Sequence, residues 1–495
     1  MLPHRLGFVR VFVVLRALVV MLTLVALMPA IAIAHGALKR SSPASGAHLS
    51  EAPRELRLTF TEAPELAFTR IRLLGPDSAD VALGPLSIDS ALTAVASVRG
   101  ALVAGTYTVV WQVAGADGHP VRGRFRFTIA PGATGLMASA APVPAVLQAD
   151  GEVAGNVSAP GQPSPPSEHH NAASMPDGDG FGAESLPYVV IRWLQFMALL
   201  TVLGTLAFYF VVLGLLRRRE PAESAVQPMI PVASRRAAAL GLGAVAMLGA
   251  VALLRLYAQS YAMHGVADAF NGGLVASMIS STVWGWGWLL QLLGVVLAFS
   301  GFWLARRGTT SGWTIAALGA LALAYSPALS GHAASSPRLT ALAILADGLH
   351  IIGAGGWLGS LLLVLVVGVP AALALAERDR GPAAASLVNA FSPTAIVFAA
   401  LAGITGIFAA WLHLGSVPAL WQTAYGQMLI RKLIVLSVVV GTGAYNWLRV
   451  RPALGDVAGA RRIRRSATIE VAVGVAVLAI TAVLVATPTG MDSHQ

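Results

Sequence analysis

The sequence contains no cysteine. A domain placed outside the cytoplasm would therefore have no disulfide framework and must hold together by its core alone. Any metal it binds must meet His, Asp, Glu, Met or backbone groups rather than thiolate. Charge is scarce as well. Only 11% of the 495 residues are charged, 56% are hydrophobic, and the mean hydropathy is +0.72. That balance excludes an ordinary soluble globular protein and fits a chain that crosses a membrane several times. The formal net charge of +10 is no nucleic-acid footprint. Beyond the first domain, most basic residues lie in short clusters between apolar runs, where they carry topology information. Neither a Walker A sequence nor the aspartyl-phosphate motif of a P-type ATPase is present, so the chain has no ATP-hydrolysing motif of its own.

What is there begins with a leader. Arg5, Arg10 and Arg16 precede or enter an apolar stretch from Ala17 to Met28, followed by Pro29 and the small residues Ala32 and Ala34. This is the form of a secretory signal peptide over residues 1–34. Cleavage after Ala34 would leave His35 first, with a free α-amine and an imidazole able to close one chelate ring. Taken alone, His35 is also simply the residue after the cut.

Residues 35–130 alternate polar and apolar side chains in ELRLTF (55–60), TRIRLL (69–74), TYTVVWQV (106–113) and RGRFRFTI (122–129). Period-two alternation puts one face in a core and the other in water. Gly, Pro, Ser and Asp clusters between these runs make turns. The expectation is an all-β Greek-key sandwich or small barrel. Residues 131–185 are rich in Ala, Pro, Gly and Ser and read as a disordered linker. Its His169–His170 pair reads as solvated.

Residues 186–490 read as an all-α polytopic bundle. Eight apolar spans are expected at about 186–216, 234–258, 282–305, 311–329, 339–367, 389–413, 426–448 and 467–487, each long enough to cross roughly 30 Å of hydrocarbon. A short interfacial helix is expected within 265–281. Arginines mark every second loop: Arg217, Arg218, Arg219, Arg235 and Arg236; Arg306 and Arg307; Arg378 and Arg380; and six between Arg449 and Arg465. The alternate loops hold little beyond Arg338. By the positive-inside rule, both ends then lie outside. That predicts a multi-pass protein of the bacterial inner membrane with its first domain in the periplasm.

Asp117 and His119, in GADGHPVRGRF, are two residues apart, so an extended segment would point both to one side. With the amine and ring of His35, they supply three nitrogens and one oxygen. Tetragonal N,O sets are what Cu(II) prefers. Taken alone, the triplet reads first as an Asp117–Gly118 turn with His119 in solvent. Here the sequence resembles the periplasmic copper-binding CopC family. The resemblance rests on the candidate N-terminal histidine, SSPASGA (41–47), LRLTFTEAPE (56–65), AGTYTVVWQV (104–113) and ADGHPVRGRFRF (116–127). It implies one Cu(II) ion held by His35, Asp117 and His119, with Glu62 as an outer partner. A strand-end carboxylate in water is the other reading of Glu62. Some members also hold Cu(I) through methionine, but residues 35–131 contain none. An amine–imidazole–imidazole brace also serves oxidative enzymes. Those need an open equatorial position, which Asp117 would fill, so a binding role without enzymatic turnover is expected.

In the fifth span, Asp347 and His350 are three apart and share a helix face. Trp357 is seven further on, and Gly353, Gly355 and Gly356 would let another helix come close. Ionisable groups at such depth usually serve a pathway, although this pair also reads as a helix staple. His264, His332 and His413 fall near the same side by topology. With His350 and Asp347 they make a candidate copper path. Lys432 reads either as snorkelling or as a partner for Asp347, and Glu470 as paired with nearby arginines. DGLHIIGAGGWLGSL (347–361) and YGQMLIRKLIVL (425–436) resemble the inner-membrane CopD family, which is associated with moving copper inward. The whole then resembles a CopC–CopD fusion for copper homeostasis or resistance. Its expected partners are copper ions, the lipid bilayer and other periplasmic copper carriers. Two other classes stay open: a non-transporting copper sequestration or sensing protein, and a membrane copper or haem redox protein.

Overall fold

The computed structural model describes residues 38–60, 64, 66–90, 92–114, 120–134, 185–224, 226–330, 339–414, 416–450, 457–485 and 487. It divides into a β unit and a helical unit.

The β unit has nine strands: β1 Leu38–Ser42, β2 His48–Glu51, β3 Glu55–Phe60, β4 Arg70–Leu74, β5 Asp80–Val81, β6 Ser87–Ser90, β7 Thr93–Ser97, β8 Gly105–Ala114 and β9 Pro120–Thr134. They form two sheets, ordered β1-β3-β7-β6 and β2-β9-β8-β4-β5. The recorded pairings are antiparallel, except that β2 runs parallel to β9. Alternation decides the faces. Leu56, Leu58 and Phe60 of one sheet pack against Leu73, Val109, Phe127 and Ile129 of the other. The result is a sandwich. Tyr107 stacks on Phe127 with ring centroids 5.5 Å apart, and its hydroxyl donates to the Val103 carbonyl at 3.0 Å. At the β4–β5 edge, Arg72 hydrogen-bonds Asp80 through Nε at 3.0 Å and Nη2 at 2.6 Å, which holds this carboxyl below its ordinary range. Exposed as it is, the pair adds little stability. The four strands read from alternation are β3, β4, β8 and β9, although β9 runs on to Thr134.

Among the described residues, eight helices are long and apolar enough to cross a membrane. They are α1 Leu186–Arg219, α2 Met229–His264, α4 Val283–Arg306, α5 Thr310–Leu329, α6 Thr340–Leu373, α7 Glu377–Leu414, α8 Ala424–Leu448 and Ala467–Leu484, the last lying within α9 Val457–Leu484. The short helix α3, Gly272–Ser281, falls inside the expected interfacial segment. Side-chain caps start several of them: Ser185 for α1, Asn271 for α3, Thr282 for α4 and Thr423 for α8. Each satisfies amide groups that a helix start leaves open.

Small residues set the packing. Gly294, Ala298, Gly301 and Ala305 of α4 meet Gly312, Ala316 and Gly319 of α5 backbone to backbone. Gly204 of α1 rests against Gly359 of α6 in the same way. Apolar helices in lipid gain little from burying one another, so close approach supplies the attraction. Helix α6 is not continuously α-helical. It carries π-turns at Gly355–Gly359 and Val364–Gly368.

Candidate metal centre

His35, Glu62, Asp117 and His119 lie outside the described residues, as does His332. The strands that lead to the first four are described. Leu38 at the start of β1 pairs with Phe60 at the end of β3. The chain before Leu38, with His35 three positions back, and the chain after Phe60, with Glu62 two positions on, therefore join the same end of one sheet. Phe60 meets Trp111 of β8 edge-on at 5.3 Å. Arg70, the first residue of β4, pairs with Gln112 of β8. That end of the sandwich is therefore also where β8 finishes, and where residues 115–119 join it to its neighbour β9. Gly123 of β9 faces the Trp111 indole so closely that a methyl group there would collide with it. Arg122 Nε donates to Gln112 Oε1 at 2.9 Å across the same two strands. The two strands that flank Asp117 and His119 in the sequence are thus braced against each other. His48 is exposed at the start of β2.

In the helical unit, Asp347 and His350 lie one turn apart on α6, and both are half-buried. His350 Nδ1 lies 2.9 Å from the Ala402 carbonyl of α7, and Thr405 Oγ1 is 3.4 Å from the same nitrogen. A carbonyl can only accept, so Nδ1 carries the proton and Nε2 the lone pair. This is the arrangement that orients a metal-binding imidazole. Lys432 of α8 is electrostatically coupled to both Asp347 and His350, and Tyr425 of α8 to Asp347. Asp347 and Lys432, both among the described residues, form no ion pair, so Lys432 acts on Asp347 only at longer range. Sequence reasoning missed Thr405 and Tyr425. Tyr425 could have been found, since it lies two helical turns before Lys432 on the same face.

His413 closes α7 and meets the Tyr425 ring at 6.0 Å. His264 is buried at the end of α2, with Ser260 Oγ 3.2 Å from its Nδ1. Met263 and Met278 are buried packing residues. Among the described residues, no three His, Asp or Glu side chains gather into a metal-sized group. Trp357 lies inside the first π-turn of α6, which displaces it from the stripe that an unbroken α-helix would continue from His350. It lines a cavity of about 410 Å³ together with Phe391, Ser392, Asn446, Trp447 and Glu470. Glu470 is 5% exposed and hydrogen-bonds the Asn446 side chain. The arginine side chains expected to pair with it, at 461–465, lie outside those described. Gly353 and Gly356 admit α7, while Gly355 and Gly359 admit α1, as the run of small residues predicts.

The sequence matches three families in succession: the CopC domain over residues 38–130, the copper resistance protein D-like N-terminal domain over 182–337, and copper resistance protein D over 385–484. The copper transport protein CutJ of Bacillus subtilis (strain 168) is 26% identical over 484 residues, covering 95% of this chain and 77% of CutJ. Copper resistance protein D of Pseudomonas syringae pv. tomato is 26% identical over 314 residues, 59% of this chain and 94% of that protein. Copper resistance protein C of the same organism is 30% identical over 110 residues, 21% of this chain and 86% of that protein. The chain belongs to the CopC family through its β unit and joins that unit to CopD-family membrane helices, the arrangement of a CopC–CopD fusion.

Proposed function

We propose that the chain captures copper with its β unit and passes it across the bacterial inner membrane through its helical unit, the β unit standing in the periplasm. The carrying observation is the register of the sandwich. Leu38 opposite Phe60, and Phe60 against Trp111, bring the approaches to His35, Glu62 and the 115–119 turn to one end. One Cu(II) ion would take the amine and imidazole of His35, the imidazole of His119 and the carboxylate of Asp117, with Glu62 outside this set. Four hard-to-borderline donors suit Cu(II), and with no methionine in residues 35–131 the site offers Cu(I) no thioether. A filled coordination plane suits holding and release, the work of a carrier rather than of an enzyme.

In the membrane, Asp347 and His350 form the transit point, with His264, His332 and His413 as stations near the same end. With β9 running to Thr134 and Ser185 capping α1, residues 135–184 act as the tether that keeps the loaded β unit at high local concentration over that entrance. A cation moving inward gains about 2.3 kcal/mol per charge per 100 mV of membrane potential.

The test is uptake of radioactive copper into proteoliposomes holding the full chain. Wild type should accumulate copper. His350→Ala should lose accumulation at every copper concentration, whereas His35→Ala should lose it mainly when copper is scarce. Wild-type vesicles that bind copper outside but accumulate none would replace this reading with sequestration. Electron spin resonance of the loaded chain should show nitrogen-coordinated Cu(II), and a processed chain starting elsewhere than His35 would remove the amine ligand.

A further inference from the structure

The copper path leaves the buried guanidinium of α2 unused. Arg255 lies on α2 and is 6% exposed. Its Nη1 donates to Gln291 Oε1 of α4 at 2.7 Å, and its Nη2 donates to Ser330 Oγ, just past α5, at 3.1 Å. Its guanidinium carbon stands 5.9 Å from the centre of the Trp284 ring. All three partners are neutral. A guanidinium does not shed its proton in proteins, and a lone charge in apolar surroundings is costly until something opposes it. Among the described residues, no carboxylate pairs with Arg255. The residues that follow Ser330, GHAASSPR over 331–338, contain no acid. Arg192 of α1, seated over the Tyr188 ring at 4.6 Å, adds a second positive charge close enough to act on the first.

Gln291 supplies an independent observation. It is 1% exposed, and its Nε2 is buried with no hydrogen-bond partner among the described residues. The amide is not placed backwards. Turning it over would aim an NH2 group at the Arg255 guanidinium, two donors face to face. The oxygen belongs on Arg255, which leaves the amide hydrogens without an acceptor among the described residues. A buried donor is expensive to leave unmade. The site therefore has surplus positive charge and unfilled donors, and both of its side-chain acceptor oxygens, Gln291 Oε1 and Ser330 Oγ, are already committed to Arg255. An anion meets both needs, where water would meet only the second.

We propose that Arg255 and Gln291 form a binding site for a small inorganic anion of chloride size, between α2, α4 and the end of α5. The site is separate from the copper path and stands or falls independently of it. The anion offsets the guanidinium charge and accepts from the Gln291 amide.

The experiment uses the full chain purified in detergent and exchanged into sodium gluconate. Radiochloride binding is measured by equilibrium dialysis, and unfolding temperature by tryptophan fluorescence, as chloride replaces gluconate at constant ionic strength. The wild type should bind a single chloride saturably, and its unfolding temperature should rise by several degrees as the site fills. Arg255→Gln should lose the binding. Because that variant risks misfolding, Gln291→Glu is the decisive one. It places a carboxylate against Arg255, so the chain should fold, bind no chloride and show no chloride-dependent rise. Chloride binding by Gln291→Glu equal to the wild type would overturn the proposal, as would a wild type that binds none. So would an unfolding temperature set by added phospholipid and indifferent to chloride, since the guanidinium would then be held by a lipid phosphate.

Discussion

The imidazole of His350 is oriented before any metal reaches it. The Ala402 carbonyl fixes the proton on Nδ1 and presents Nε2 as a donor of electrons. Lys432 places a positive charge near that imidazole, and Asp347 offsets it. Asp347→Asn should therefore do more than remove a candidate ligand, because it leaves the half-buried Lys432 unopposed. The expected outcome is poor recovery of folded Asp347→Asn. Adding Lys432→Met should restore recovery without restoring copper uptake, and the two readouts separate stability from transport. At the β unit, the ligands must shed protons to bind. Copper affinity of the full chain should thus climb from pH 5 to 8 as imidazole and α-amine deprotonate, and titration against a competing chelator would show it. That Asp347 and His350 share one face of α6 was legible from spacing alone. Thr405 was not, because one threonine in an apolar helix has no pattern until another helix docks beside it.

Strands and helices differ in how openly the sequence declares them. Alternation exposed β3, β4, β8 and β9, each of which has one face in the core. It missed β7, where Thr93, Ala94, Val95 and Ala96 are all buried and nothing alternates. The short strands β1, β2, β5 and β6 offered too few residues for any period. All eight spans were legible, since hydropathy over a membrane's thickness is a strong signal. The π-turns of α6 were not, because one extra residue in a helical turn leaves hydropathy unchanged. Two substitutions test the packing. Phe127→Ala should destabilise the β unit by about 3–5 kcal/mol in denaturant unfolding of the full chain. Gly359→Leu should prevent α1 from reaching α6 and abolish recovery of folded protein, while Gly243→Ala, where an added methyl meets nothing, should leave it unchanged.

The molecule as a whole is two units on one chain, and its organisation was more legible than its site. Composition separates a polar first part from an apolar second, and arginine clusters count the crossings. What the sequence could not show was the convergence at one end of the sandwich, which depends on strand register rather than on any local motif. Joining capture and transit on a single chain has a measurable consequence. The two parts expressed separately should match the intact chain in uptake at high copper but fall behind at low copper, where local concentration matters. The meeting of Gly204 with Gly359 has another. Interlocked side chains must be lifted out of one another before two helices can shift, whereas two bare backbones present a nearly smooth track. If the carrier exposes its interior first to one side and then to the other, the Gly204–Gly359 contact is where α1 and α6 shift without side chains being lifted apart. A crosslink spanning that track should trap copper on whichever side it entered.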